Sequence, residues 1–315
     1  MKLFDMSTLS RRELVAVGLA SLAFLAVQAM VVGLIPAQVL MVALFCLLYV
    51  AHPLTRKVAM AMLPFIAFEI MYDWMRLYPN YRVNPVDLRG IYESELALFG
   101  ISDGATTMIP CQYFALHHTV WLDLLAGIFY LCWVPGPIAV GLWLLFRGEE
   151  GWYVRFALCF LLVNLLGFAG YYLHPTAPPW YVLEHGFTAD FTVGGSTAGL
   201  SRFDRLVGLS VFGSIYVNNS NIFAALPSLH AAYMTVATAY AVLSRRSWPL
   251  VTLCCVVSVG IWLTAVYSCH HYVIDVVLGV FTALMGVFLF ERLLMRWPPF
   301  RGFAERYAHY LSQLK

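Results

Sequence analysis

Eight apolar stretches, at approximately residues 13–34, 37–51, 57–75, 121–146, 153–173, 225–243, 248–267 and 271–293, limit what this chain can fold into more than any other feature. Roughly 20 helical residues cross a bilayer core. A backbone in lipid must also satisfy its own hydrogen bonds, which leaves helices as the structure for such stretches. With 61% hydrophobic and 11% charged residues among 315, the chain is excluded from the ordinary soluble domains. The expected fold is all-α: a polytopic membrane helix bundle of about eight transmembrane helices. The first stretch is long and has no small-residue cleavage site, so it reads as a retained helix.

The net charge of +2 says little, but its distribution sets an orientation. Fourteen of the nineteen basic residues, among them Lys2, Arg56, Lys57, Arg147, Arg155, Arg245, Arg246, Arg292 and Lys315, fall on one side of the spans. Arg76, Arg82, Arg89, Arg202 and Arg205 occupy two longer segments on the other side, about 76–120 and 174–224. The positive-inside rule then puts both termini in the cytoplasm. The chain reads as one integral membrane domain, 1–315: additional N-terminal helices over 1–56, a catalytic core over 57–293 and a cytoplasmic tail over 294–315. Asn218-Asn219-Ser220 is a glycosylation sequon on the outer side. YESELALFG around Glu93 predicts a short amphipathic helix at the interface, placed to cover a site there. The seven cysteines show no metal-type spacing; Cys111 and Cys269 are the pair placed to meet an oxidising compartment and form a bridge.

Two motifs carry the chemistry. LPSLHAAY ends at Tyr233 and CHHYVID ends at Asp275. Between His230 and His271 the chain runs through an apolar stretch, turns at Arg245-Arg246 and returns through a second, so both histidines come to the same, non-cytoplasmic face. His271 and Asp275 lie one helical turn apart, so the carboxylate can hold one ring nitrogen and leave the other free as a nucleophile. His230 is then available as acid or base. Pro227 suits a first helical turn, which would direct backbone N–H groups near Ser228 toward a phosphate. Glu69, Asp73 and Asp123 are ionisable groups near span ends. Pairing with Arg76 is the expected state for them.

The PSLH and HHYxxD motifs resemble those of the type 2 phosphatidic acid phosphatase superfamily. The phosphatases of that family carry Pro-Ser-Gly-His where this chain has Pro227-Ser228-Leu229-His230, and a Ser-Arg pair where it has Thr264 and Ala265. The ordered set YDWMR (72–76), ELALFG, WLDLLAGIFYLCWVPGP, YYLHPTAPPWY and the two histidine motifs resembles the inositol phosphorylceramide synthase branch. The resemblance covers the third to the eighth span and implies a six-helix core of the phosphatidic acid phosphatase type 2 kind. It implies a phosphohistidine intermediate with His271 as nucleophile, Asp275 as its orienting partner and His230 as acid then base, with no metal and no cofactor. Arg76, His174, Ser228, His270 and Asp73 are the candidate substrate-binding residues. The implied substrates are phosphatidylinositol and ceramide, with diacylglycerol as product, all met at the bilayer; nothing in the chain points to nucleic acid. A metal-independent lipid phosphate phosphatase, with water as acceptor, is the alternative. A proton-relay transporter would want its ionisable groups near the midplane, whereas here they cluster at one face.

Overall fold

The computed structural model describes residues 9–34, 36–216 and 221–314. Lys2, Lys315 and the 218–220 sequon lie outside the described residues. The helices run in order α1 (Arg11–Val31), α2 (Pro36–Ala51), α3 (Pro53–Ala61), α4 (Leu63–Trp74) and α5 (Arg89–Phe99). A two-stranded hairpin follows, β1 (Ile101–Asp103) and β2 (Thr106–Met108). Then come α6 (Pro110–Leu116), α7 (Val120–Leu131), α8 (Pro135–Phe146), α9 (Glu150–Leu173), α10 (Pro179–His185), α11 (Ser201–Val207) and α12 (Val211–Tyr216). The last four are α13 (Leu229–Leu243), α14 (Trp248–Tyr267), α15 (Val273–Arg292) and α16 (Pro298–Gln313).

All eight predicted spans are helical, but they are not equal. Among the described residues α1, α9, α14 and α15 are long and apolar enough to cross a membrane alone, and α7 with α8, bent by 46°, makes a fifth. Pro135 opens α8 and accounts for the bend, since a proline ring cannot continue the preceding turn. Pro64 does the same to the third span, which breaks at Met62 into α3 and α4. The spans read as α2 and α13 are shorter apolar helices of 16 and 15 residues.

Helix α13 is central, packed by α8, α9, α14 and α15. Its core face stacks Tyr233 on Phe160 (ring centroids 4.7 Å apart), and Phe160 in turn on Phe65 of α4 (4.9 Å). The one buried asparagine of α9, Asn164, is satisfied there by the Tyr233 hydroxyl at 2.7 Å. Glycines let the backbones close in around the start of α13. An added Cβ would lie 2.1 Å from the Ser228 carbonyl oxygen at Gly279, and 2.6 Å from Pro227 at Gly170. Small residues of this kind are how membrane helices pack closely in the absence of a hydrophobic drive between them.

The end opposite the histidines is held by charge: Lys57–Glu150 at 2.6 Å, Arg155–Glu291 and Arg246–Glu149. The final segment, expected only as a tail, is helix α16. It packs on α9 and α3, burying Ala304 and Leu311, and its Tyr307 hydroxyl donates to the Met60 carbonyl at 2.6 Å. At the histidine end, segments 76–120, 174–216 and 221–224 form a cap with its own apolar cluster of Leu88, Ile91, Ile109, Trp180, Tyr181 and Phe223. Asn80 ties the cap to the bundle, donating to the carbonyls of Tyr171 (2.9 Å) and Phe223 (2.8 Å).

Gly279→Ala should therefore lower the melting temperature in detergent, by an amount corresponding to about 1–3 kcal/mol of overpacking. Gly151→Ala, which meets nothing within 4 Å, should not. Thermal unfolding of the purified variants checks both.

Candidate active site

The returning chain does bring the histidines together. His230, in the first turn of α13, places Nδ1 3.1 Å from Nε2 of His271. On its other side the His271 ring places Nδ1 3.3 Å from an Asp275 carboxylate oxygen. The same oxygen accepts the Tyr272 backbone N–H at 3.0 Å, so Asp275 caps its own helix while it orients the histidine. With the Nδ1 proton of His271 directed at Asp275, Nε2 keeps its lone pair, and His230 is the donor across the 3.1 Å contact.

The loop that carries His271 is fixed by backbone. It turns through Cys269, whose φ of 59° lies in the left-handed region. The turn lets the N–H groups of both His270 and His271 reach the Ala265 carbonyl, at 3.1 and 3.0 Å. Trp180 N–H donates to the Cys269 carbonyl at 3.0 Å, so the HPTAPPW segment is a brace for this loop. Ser228 N–H donates to the Asp275 carbonyl at 2.9 Å, joining the start of α13 to the first turn of α15.

His230 is held by aromatic rings: Tyr130 stacks on it at 5.1 Å and Trp133 lies 4.5 Å away. Both rings come from α7 and the α7–α8 bend, a role for the WLDLLAGIFYLCWVPGP segment that no sequence signal pointed to. The two histidines open onto a cavity of about 560 Å³ whose wall is largely apolar and aromatic, with α4, α9, α10 and α13 all contributing.

Of the five residues expected to bind substrate, only His270 lines that cavity. Both its ring nitrogens are engaged, Nδ1 with the Ser268 hydroxyl at 2.9 Å and Nε2 with the Ser196 carbonyl at 3.3 Å, so a neutral ring has no N–H left for a phosphate. Ser228 is fully buried; its N–H is spent on Asp275 and its hydroxyl accepts from Ala231 N–H, capping α13. Arg76 forms an ion pair with Asp73, which also accepts from Gln38 at 2.7 Å. His174 is half-exposed and meets Asp87 at 3.2 Å. Pairing with Arg76 thus holds for Asp73 alone. Asp123 is paired with Arg202 at 2.6 Å and the Tyr267 hydroxyl at 2.8 Å, and Glu69 faces the cavity. Cys111 and Cys269 are both free thiols, Cys269 donating to the Cys111 carbonyl at 3.2 Å, so the expected bridge is absent.

One functional carboxylate escaped sequence reasoning. Glu95, buried on the predicted amphipathic helix α5, accepts the N–H groups of Val273 (2.8 Å) and Ile274 (3.1 Å). It occupies the N-terminus of the helix that carries Asp275, the place where a phosphate would otherwise be welcome. Burial raises its carboxyl above the usual range, and the two N–H bonds work against that rise.

With this geometry in view, the comparisons with known proteins are specific. The family model described as the PAP2 superfamily matches residues 106–289, more than half of the chain. The chain belongs to the PAP2 superfamily. The phosphoinositol dihydroceramide synthase of Bacteroides thetaiotaomicron is 51% identical over 96% of this chain and 99% of its own length. The inositol phosphorylceramide synthase catalytic subunit AUR1 of Saccharomyces cerevisiae is 28% identical over 72% of this chain and 55% of its own. The inositol phosphorylceramide synthase of Candida albicans is 26% identical over 76% and 49%. No solved structure matches the chain. This PAP2 member departs from a free helix terminus at α15, because Glu95 already fills it.

Glu95→Leu should lower both the melting temperature, by about 1–2 kcal/mol for a lost helix cap, and turnover, while Glu95→Gln keeps an acceptor and loses less; thermal unfolding and initial rates measure the two. A second expectation concerns acid. Burial, and then the neighbouring His271 charge, hold His270 down at about 3 from its ordinary 6.5. Below pH 6.5 the unfolded chain takes up a proton that the folded chain refuses. His270's contribution is therefore complete above that pH and is lost as pH falls toward 3, about 2 kcal/mol by pH 5. His270→Gln should flatten the acid side of the melting-temperature profile.

Proposed function

We propose that this protein is a membrane phosphotransferase that moves phosphoinositol from phosphatidylinositol to ceramide. The observation that carries the reading is the pair of facing imidazoles, one oriented by a carboxylate, lining a largely apolar cavity. The near full-length similarity to a phosphoinositol dihydroceramide synthase supports the choice of substrates. The one-sided distribution of basic residues supports a reaction on the non-cytoplasmic face.

The roles follow from which nitrogen is free. His271 Nε2 attacks the phosphorus of the donor lipid, and the bond from phosphorus to the diacylglycerol oxygen breaks. His230 enters as the imidazolium, its charge matched by the phosphodiester anion, and gives its Nδ1 proton to the departing oxygen. Diacylglycerol leaves, and the phosphoinositol group stays on His271 through a nitrogen–phosphorus bond. Asp275 stabilises the charge that develops on the His271 ring. In the second half, neutral His230 takes the proton of the ceramide primary hydroxyl as that oxygen attacks phosphorus, and His271 is released. The 3.1 Å contact leaves no room for a phosphoryl group between the rings, so substrate entry separates them.

In lipid-containing detergent with a chelator present, the purified protein should convert phosphatidylinositol and ceramide to diacylglycerol and inositol phosphorylceramide, read by mass spectrometry. Inositol phosphate or free phosphate released regardless of ceramide would instead identify a phosphatase. His271→Ala and His230→Ala should each lower turnover at least about a thousandfold with little change in expression or melting temperature. A His271→Ala enzyme with near-normal activity would sink the mechanism.

A further inference from the structure

The wall of the cavity is apolar and aromatic almost throughout, with Phe68, Tyr72, Leu131, Val134 and Trp180 typical of it. Among its lining residues one carries a carboxylate. Glu69, midway along α4, is an exposed residue that lines the cavity, and it makes no hydrogen bond or ion pair with any described residue. The neighbouring carboxylate on the next turn, Asp73, is by contrast fully engaged by Arg76 and Gln38. An ionisable group in a membrane span without a protein partner is costly, and such groups are retained where a substrate meets them.

Its position relative to the histidines can be followed through the rings. Phe68 packs edge-on against Tyr233 at 5.7 Å, and Tyr233 stacks on Trp133 at 5.8 Å. Trp133 in turn meets His230 at 4.5 Å. Tyr233 follows His230 by three residues on α13, one turn further from the mouth of the site. Glu69, next to Phe68 on α4, therefore lines the cavity at the level of Tyr233, one turn along α13 from His230.

Two lipids with a free primary hydroxyl would meet this wall if the function proposed above holds, and the inference rests on that reading. Ceramide carries an amide N–H and a secondary hydroxyl on the two carbons next to its reacting hydroxymethyl group. Diacylglycerol carries ester oxygens there, which only accept. A carboxylate attracts the first set and repels the second. We propose that Glu69 is the acceptor-selecting residue: it accepts hydrogen bonds from the amide and secondary hydroxyl of the sphingoid backbone, aims the primary hydroxyl at His230, and disfavours return of diacylglycerol.

The test uses the full chain in lipid-containing detergent with phosphatidylinositol as donor. Glu69→Leu removes the acceptor group, and Glu69→Gln keeps a carbonyl in the same space as a guard against misfolding. The acceptors are ceramide, its 3-deoxy analogue and its N-methyl analogue. For both variants the KM for ceramide should rise more than the KM for phosphatidylinositol, by about tenfold for Glu69→Leu and less for Glu69→Gln. The two analogues should be poor acceptors for the unaltered protein, and the gap between them and ceramide should shrink in Glu69→Leu. Exchange of labelled diacylglycerol into phosphatidylinositol should gain relative to ceramide transfer. An unchanged ceramide KM in a folded variant, or equal losses for donor and acceptor, would overturn the inference and leave the transferase reading standing. An unaltered protein that hydrolyses phosphatidylinositol and ignores ceramide would overturn both.

Discussion

The hydrogen bond from Ser228 N–H to the Asp275 carbonyl sets the distance between α13 and α15, and the rest of the site is arranged around it. It exists only because Gly279 offers no side chain where the Ser228 carbonyl lies. With those two helices so close, residues on their first turns can meet across the gap. His230 and His271 do so, while Asp275 serves three partners at once: a backbone amide through its carbonyl, and its own helix cap and the nucleophile through its carboxylate. A modest widening would cost the Ser228–Asp275 bond and the His230–His271 contact together, because both cross between the two helices, whereas the carboxylate's bonds to His271 and Tyr272 are local to the start of α15. That coupling also explains the bracing from outside the pair, by Glu95 on the α15 terminus and by Trp180 and Ala265 on the loop.

Electrostatically the site is sparse. No lysine or arginine is among the described residues lining the cavity, and Arg76 and Arg202 at the cap form ion pairs with Asp73 and Asp123. In the proposed mechanism the phosphodiester's single negative charge is matched by the proton on His230. A phosphate monoester, with a second charge, would find little here to hold it. The absence of the arginine that phosphatases carry, visible at Thr264 and Ala265, is therefore consistent with a diester substrate and a lipid leaving group.

Most of the bundle was legible because apolar length is a direct physical demand of the bilayer, and every expected span is a helix. The meeting of His230, His271 and Asp275 was legible because a one-turn spacing and a there-and-back path need no tertiary knowledge. Contacts made at long separation were not. Glu95 reaches a helix 178 residues away, and nothing in YESELALFG distinguishes it from exposed Glu93. Ser228, His270 and the Cys111–Cys269 pair share a different lesson: their polar groups are engaged by neighbours within the protein, which no motif announces. Glu69 is the opposite case, expected to be paired and left facing the cavity.

The shortness of α13 has a further meaning. Fifteen residues rise about 22 Å, against roughly 30 Å for a bilayer core. Its far end is anchored beside the ion pair of Arg246 with Glu149, so its histidine end stops short of the opposite boundary. The two facing histidines thereby sit inside that boundary, beneath a cap with its own apolar cluster, where water is scarce. For the proposed transferase, depth then favours a lipid over water as second nucleophile alongside recognition, through one helix left a turn or two too short.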